Sequence, residues 1–83
     1  MKVSYDPEAD VLCFRLSDQP INEGDELAPG VIVSYDSWGH VVSIEILHAS
    51  THTPDPRIIE FAVASTDLTR TVHSVPVHQQ AAV

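Results

Sequence analysis

Residues Gly30–Ser50 read GVIVSYDSWGHVVSIEILHAS, two alternating apolar runs around a turn. Val31–Tyr35 is β-branched and aromatic, the composition that fits a pleated, half-buried surface. Gly39 takes positive φ without steric cost, so it suits the last position of a type I turn closed by a bulge. Asp36, at the start of that turn, can accept hydrogen bonds from the turn backbone. In the return run Val42, Ile44 and Ile46 alternate with Val41, Ser43 and Glu45. On the outgoing run Val31, Val33 and Tyr35 share a side. One apolar side against one mixed side predicts an antiparallel sheet wetted on one side.

Outward from this hairpin, the N-terminus repeats it 30 residues earlier. Val3-Ser4-Tyr5-Asp6 matches Val33-Ser34-Tyr35-Asp36, and Val11 matches Val41 after four intervening residues in each copy. Leu12, Phe14 and Leu16 then keep the alternation of Val42, Ile44 and Ile46. Two related hairpins in tandem explain this better than chance. The expected fold is mainly β: two tandem antiparallel hairpins in a four- to five-stranded sheet, with a C-terminal extension.

Between the hairpins, Ser17–Pro29 is polar and acidic, SDQPINEGDELAP, and reads as a solvated crossover. Ile21 and Leu27 are candidates to pin it to the sheet, and Glu26–Ala28 to extend the next strand. Its carboxylates lack the ligand spacing of a calcium loop. After the second hairpin, Pro54 and Pro56 interrupt regular structure. Arg57–Ala64, RIIEFAVA, alternates like a fifth strand, with a helix begun by Asp55 and Pro56 as the competing assignment. Residues 1–64 therefore read as the β domain. Residues 65–83 read as a tail, weakly ordered or ordered by a partner.

An 83-residue chain makes one small domain. Its single cysteine, Cys13, excludes an internal disulfide and suits a reducing cytoplasm. No apolar run reaches the length of a membrane span, and no signal peptide precedes the first strand. The formal net charge is −8, and four Lys and Arg are too few and too scattered for a nucleic-acid patch. An acidic surface fits solubility or docking onto a basic protein. A sheet with one apolar side needs a cover. That cover is either residues 57–75 folding back or a second subunit, and the expectation is a homodimer.

The candidate site residues are Trp38, Asp6, Glu8, Asp10, Asp36, Glu45 and Arg15. Asp6 and Asp36 hold equivalent turn positions and read first as turn-capping residues. Asp6, Glu8 and Asp10 also form an acidic cluster that could hold a divalent cation. Arg15 and Glu45, counterparts in the two hairpins, are expected to face each other as a cross-strand ion pair. Trp38, at a hairpin tip, is a candidate contact residue. His48 and His52 are four apart, but the following prolines argue against a zinc-binding helix. Cys13 has no base nearby in sequence and reads as a packed small residue.

The opening KVSYDPEADVLCFRLSD and the later PGVIVSYDSWGHVVSIEIL resemble the small bacterial DUF2283 domain. Tyr5, Asp6, Glu8, Ala9, Asp10, Leu12, Leu16, Gly30, Asp36, Gly39 and Glu45 carry the resemblance, over about residues 2 to 50. Ser34 and Ser43 depart from it. The family is uncharacterised, so the resemblance implies no catalytic or cofactor-binding residues. It does imply a free-standing cytoplasmic protein, in some cases encoded beside small ribonuclease toxins, and hence an antitoxin-like role. No nucleophile motif, phosphate loop or metal signature is legible. The leading expectation is a non-enzymatic protein–protein interaction module with no cofactor. The alternative is a small-ligand or divalent-metal module using the acidic turns.

Overall fold

The structure is a computed structural model that describes residues 1–64 and 70–79, the backbone alone at 70–74 and 78–79. Its strands are β1 (Lys2–Asp6), β2 (Val11–Arg15), β3 (Glu23–Ala28), β4 (Val31–Tyr35), β5 (Val41–Leu47), β6 (Ile58–Ala64), β7 (Arg70–Pro76) and β8 (His78–Gln79). A 3₁₀ turn at Ala49–Thr51 follows β5. One sheet has the order β3-β4-β5-β2-β1-β8, and β6 and β7 form a second. The first five strands pair antiparallel, and β8 adds two residues parallel to β1.

The sequence repeat has a counterpart in space. Hairpins β1–β2 and β4–β5 meet through their second strands, with Phe14 opposite Ile44. These two residues are equivalent in the repeat, so a local two-fold axis runs between them. Each hairpin turns at its expected place. Gly39 has φ +82°, its N–H donates to the Asp36 carbonyl, and the Asp36 N–H donates to the His40 carbonyl. The register of β4 on β5 shifts between Ser34 and Tyr35, the bulge that closes such a turn.

Three expectations need correction. First, Arg15 lies opposite Ser43, and Glu45 opposite Cys13. Around a two-fold axis only the residues on the axis face their own equivalents, and each step away separates the rest. Second, the crossover is more than a loop: Glu23–Ala28 forms edge strand β3 against β4. Every residue of β3 is exposed, and Ile21 and Leu27 stay largely in solvent rather than pinning the segment. Third, the expected tail contains β7 and β8. Of Arg57–Ala64, Ile58–Ala64 does become a strand, β6, but it pairs with β7 and not with the main sheet. The rest of the tail, 65–69 and 80–83, lies outside the described residues.

Packing concentrates at one corner. On the apolar side Tyr5, Ala49 and Val77 are buried together, with Val3, Leu12 and Ile59 packed against them. Val33 and Val42 are the other buried apolar residues among those described. Phe14, Val31, Ile44 and Ile46 continue the same side across β2, β4 and β5, but only half-buried. The chain thus covers the β1–β2 corner of its own apolar side, buries Val33 and Val42 on β4 and β5, and leaves Phe14, Val31, Ile44 and Ile46 partly open.

Candidate interaction surface

The most connected polar residue is Asp10. It closes the first hairpin with φ +57°, a conformation that Asp tolerates better than most side chains. Tyr5 Oη donates to its Oδ1 at 2.7 Å, and the Ser50 N–H donates to the same oxygen at 3.0 Å. Ser50 Oγ donates to Oδ2 at 2.6 Å. The Ala49 N–H donates to the Asp10 backbone carbonyl at 3.0 Å. These contacts fasten the 3₁₀ turn after β5 onto the first hairpin and seat Ala49 beside Tyr5. The hydrogen bonds from Ser50 and Tyr5 hold the Asp10 carboxyl below the usual carboxylate range. The same carboxylate, by accepting from Tyr5, pushes the phenol up.

The other turn carboxylates are engaged locally. Asp6 Oδ1 accepts from the Glu8 and Ala9 N–H groups at 3.0 and 3.1 Å. Buried Asp36 accepts at Oδ1 from the Trp38 and His40 N–H groups, both at 2.9 Å. The Glu8 side chain is exposed. Asp6 serves its own turn while Asp10 serves the Ser50 turn. Asp6 and Asp36 stand at the tips of hairpins that point in opposite directions, because the strands joining them run antiparallel. Among the described residues no group of three or more His, Cys, Asp or Glu side chains is gathered around a point. His48 and His52 flank the 3₁₀ turn rather than sharing a helix face.

On the mixed side of the sheet, small serines at positions 4, 34 and 43 are buried between their neighbours. Arg15 reaches the Gln19 carbonyl at 3.4 Å. Cys13 is flanked by Ser4 and Glu45. Burial first, and Glu45 second, push its thiol up, with Arg15 opposing. The thiol is therefore held protonated and weakly nucleophilic.

Among the described residues two surfaces combine exposed apolar side chains with a groove. The first surrounds Trp38, which is 72% exposed at the tip of β4–β5. A groove of about 240 Å³ runs from it along Gln19, Pro20, Ile21 and Asn22. The Asn22 N–H donates to the Tyr35 carbonyl at 2.7 Å and leads directly into β3. The exposed carboxylate of Glu23 follows directly on this groove, opposite Tyr35, with Asp25 further along β3 and Glu26 toward its far end, where Oε1 accepts from the Gly30 N–H at 3.4 Å. The second surface is the partly open stretch of the apolar side together with the β6–β7 hairpin. Ile58, Phe61, Val63 and Val75 are all substantially exposed on that hairpin.

Residues 2–50 match a family described as a protein of unknown function, DUF2283. The chain belongs to the DUF2283 family. No curated protein and no solved structure matches the chain. The DUF2283 match ends at Ser50, the residue that closes onto Asp10. The family unit is thus β1–β5 and the start of the turn that latches them. The β6–β7 hairpin and β8 lie beyond the DUF2283 match. Among the described residues no helix is long and apolar enough to cross a membrane.

Sequence reasoning missed Ser50 and the role of Tyr5. The available signal was Asp10 itself, an acid at the final turn position where the chain needs positive φ. Nothing local marks a partner 40 residues away.

Proposed function

We propose that this DUF2283 protein works by binding other proteins, without catalysis and as a homodimer in the cytoplasm. The observation that carries the reading is the Trp38 groove. An exposed Trp is unfavourable in water unless something covers it, and Trp is enriched among the residues that dominate binding energy. Here it stands beside apolar Ile21 and an edge strand whose charged side chains are all carboxylates. That arrangement fits a small basic protein whose apolar residue enters the groove while its Lys and Arg meet β3. The chain's net charge of −8 would speed such an encounter. A small basic ribonuclease toxin has the required chemistry, which gives the protein an antitoxin-like role.

The test is capture of partners by the tagged protein in its own cells, with Trp38→Ala and Glu23→Lys/Asp25→Lys variants beside it. The expected result is one small basic protein at stoichiometric yield, lost from both variants and weakened by salt. Equal recovery by the parent protein and both variants, or no stoichiometric partner at all, would sink the proposal.

A further inference from the structure

We infer that two copies of this chain embrace reciprocally, the β6–β7 hairpin of each lying across the open apolar side of the other's sheet. The inference rests on the homodimer reading and names its interface.

The chain exposes too much surface for its size. Its accessible area is 6072 Å² at 9.1 kDa, where a compact monomer of that mass exposes about 4,900 Å². Its Cα radius of gyration is 14.5 Å, against about 12 Å for a compact chain of this length. The excess is roughly 1,200 Å², and a specific dimer buries about 800 Å² on each partner. One dimer interface of that size would absorb about two thirds of the excess.

Two apolar surfaces stand open among the described residues, and they are complementary. The first is the sheet. Across β2, β5 and β4 its apolar side carries Phe14, Ile44, Ile46 and Val31, half-buried around buried Val33, with no ionisable group among them. The second is the hairpin. On β6, Ile59, Phe61 and Val63 share one side, opposite Val75 on β7 for the first of them. Ile59 packs into the chain's own core. Beyond it, Phe61 is 46% and Val63 is 57% exposed. A mostly apolar groove of about 500 Å³, lined by Met1, Val3, Ile59, Phe61 and Val75 with Lys2 among them, lies between the hairpin and the start of β1.

The hairpin is anchored and preshaped at its base. Pro56 is buried. The Val77 N–H donates to the Arg57 carbonyl at 2.7 Å, and the Arg57 N–H donates to Asp55 Oδ1 at 3.0 Å. A preformed arm loses less conformational entropy on docking than a disordered tail. Seven residues at about 3.3 Å each give it a reach of about 23 Å, whereas the span from β2 across β5 to β4 is about 10 Å.

Charge selects the occupant. Two copies at −8 each repel, so they can join only where neither presents carboxylates. The middle of the β2-β5-β4 surface, at Ile44 and Ile46, and the Phe61–Val63 side of β6 come nearest to that condition, with Asp25 beside Val33 and Glu60 beside Phe14 at the margins. A two-fold operation satisfies both in both copies at once, which is the rule for an isologous interface.

The test uses the full-length chain in a Cys13→Ser background. Ile44→Cys is placed in one tagged population and Val63→Cys in a second with a different tag. The two are mixed, allowed to exchange, and treated with a short bismaleimide. Light scattering of the unmodified protein gives its mass independently of any variant. The expected result is a dimer whose dominant cross-link joins the two tags, 44 to 63. A Val63→Asp variant should weaken the dimer about tenfold or more while keeping its far-ultraviolet β spectrum. A dimer that links only 44 to 44, or gives no link, overturns the embrace and leaves the homodimer standing. A monomeric mass for the unmodified protein overturns both.

Discussion

Asp10 shows how one side chain sets both the local and the long-range geometry of a DUF2283 core. Its positive φ ends the first hairpin, and its two carboxylate oxygens collect Tyr5 and Ser50. This predicts a specific pH dependence. The folded pKa of Asp10 is depressed, so its stabilising contribution is present above the ordinary carboxylate pKa of about 4 and is lost as pH falls through the folded value. The folded pKa of Tyr5 is raised, so its contribution is full below about pH 10 and is lost as pH rises through the folded value. Asp10→Asn keeps the side-chain shape and tolerates positive φ, but removes the charge. At neutral pH the variant should unfold at lower urea than the parent. The gap should narrow as pH drops below 4, where Asp10 takes up its proton first in the unfolded chain and, lower still, in the folded one. Urea titrations at pH 7, 5 and 3 measure it. A gap that stays constant down to pH 3 would show that the carboxylate's charge has no part in the latch.

At the scale of elements, what was legible in the sequence depended on burial. β1, β2, β4 and β5 each gather apolar residues on one side that is at least half-buried, so these recur with period two, and Gly39 and Asp36 mark the turn between the last two. β3 buries neither side. EGDELA carries no apolar alternation, and its partner strand is recognised only by the backbone hydrogen bonds it offers. β7 escaped for a different reason: RTVHSVP places Val72 and Val75 three apart, so it carries no period-two apolar signal. The Arg15–Glu45 pairing failed because sequence equivalence was read as spatial opposition. Acidity on β3 has a physical use of its own. An edge strand presents unpaired N–H and C=O groups to any other chain, and charge discourages such pairing. Replacing Asp25 and Glu26 by Val and Thr should leave the monomer fold intact, since both side chains are exposed. It should turn β3 into a flat, β-prone edge that aggregates within a thermal ramp, read by light scattering at 350 nm. A double variant as clear as the parent throughout the ramp would argue that the bulge between Glu26 and Ala28 protects the edge without help from charge.

At the scale of the whole molecule, the balance between surface and core makes a prediction that needs no variant. Among the described residues the buried apolar set is Tyr5, Val33, Val42, Ala49 and Val77, a small core for a chain of 83 residues. Single-layer sheets with so little beneath them are marginal in water. If much of the missing burial comes from a second copy, folding and association are one equilibrium, and mass action then ties stability to concentration. Raising the protein concentration tenfold should raise Tm by a few degrees, since a tenfold change is worth about 1.4 kcal/mol per dimer and small domains shift by about 4–8 °C per kcal/mol. A scan from about 5 to 500 μM would show a steady climb for a dimer. Salt should steepen the effect by screening the repulsion between two acidic chains while leaving apolar contact intact. A Tm independent of concentration over that range would mean that each chain is stable alone with its apolar side in water. The Phe14–Ile44–Ile46 surface would then be left for the basic partner that the Trp38 groove is proposed to bind.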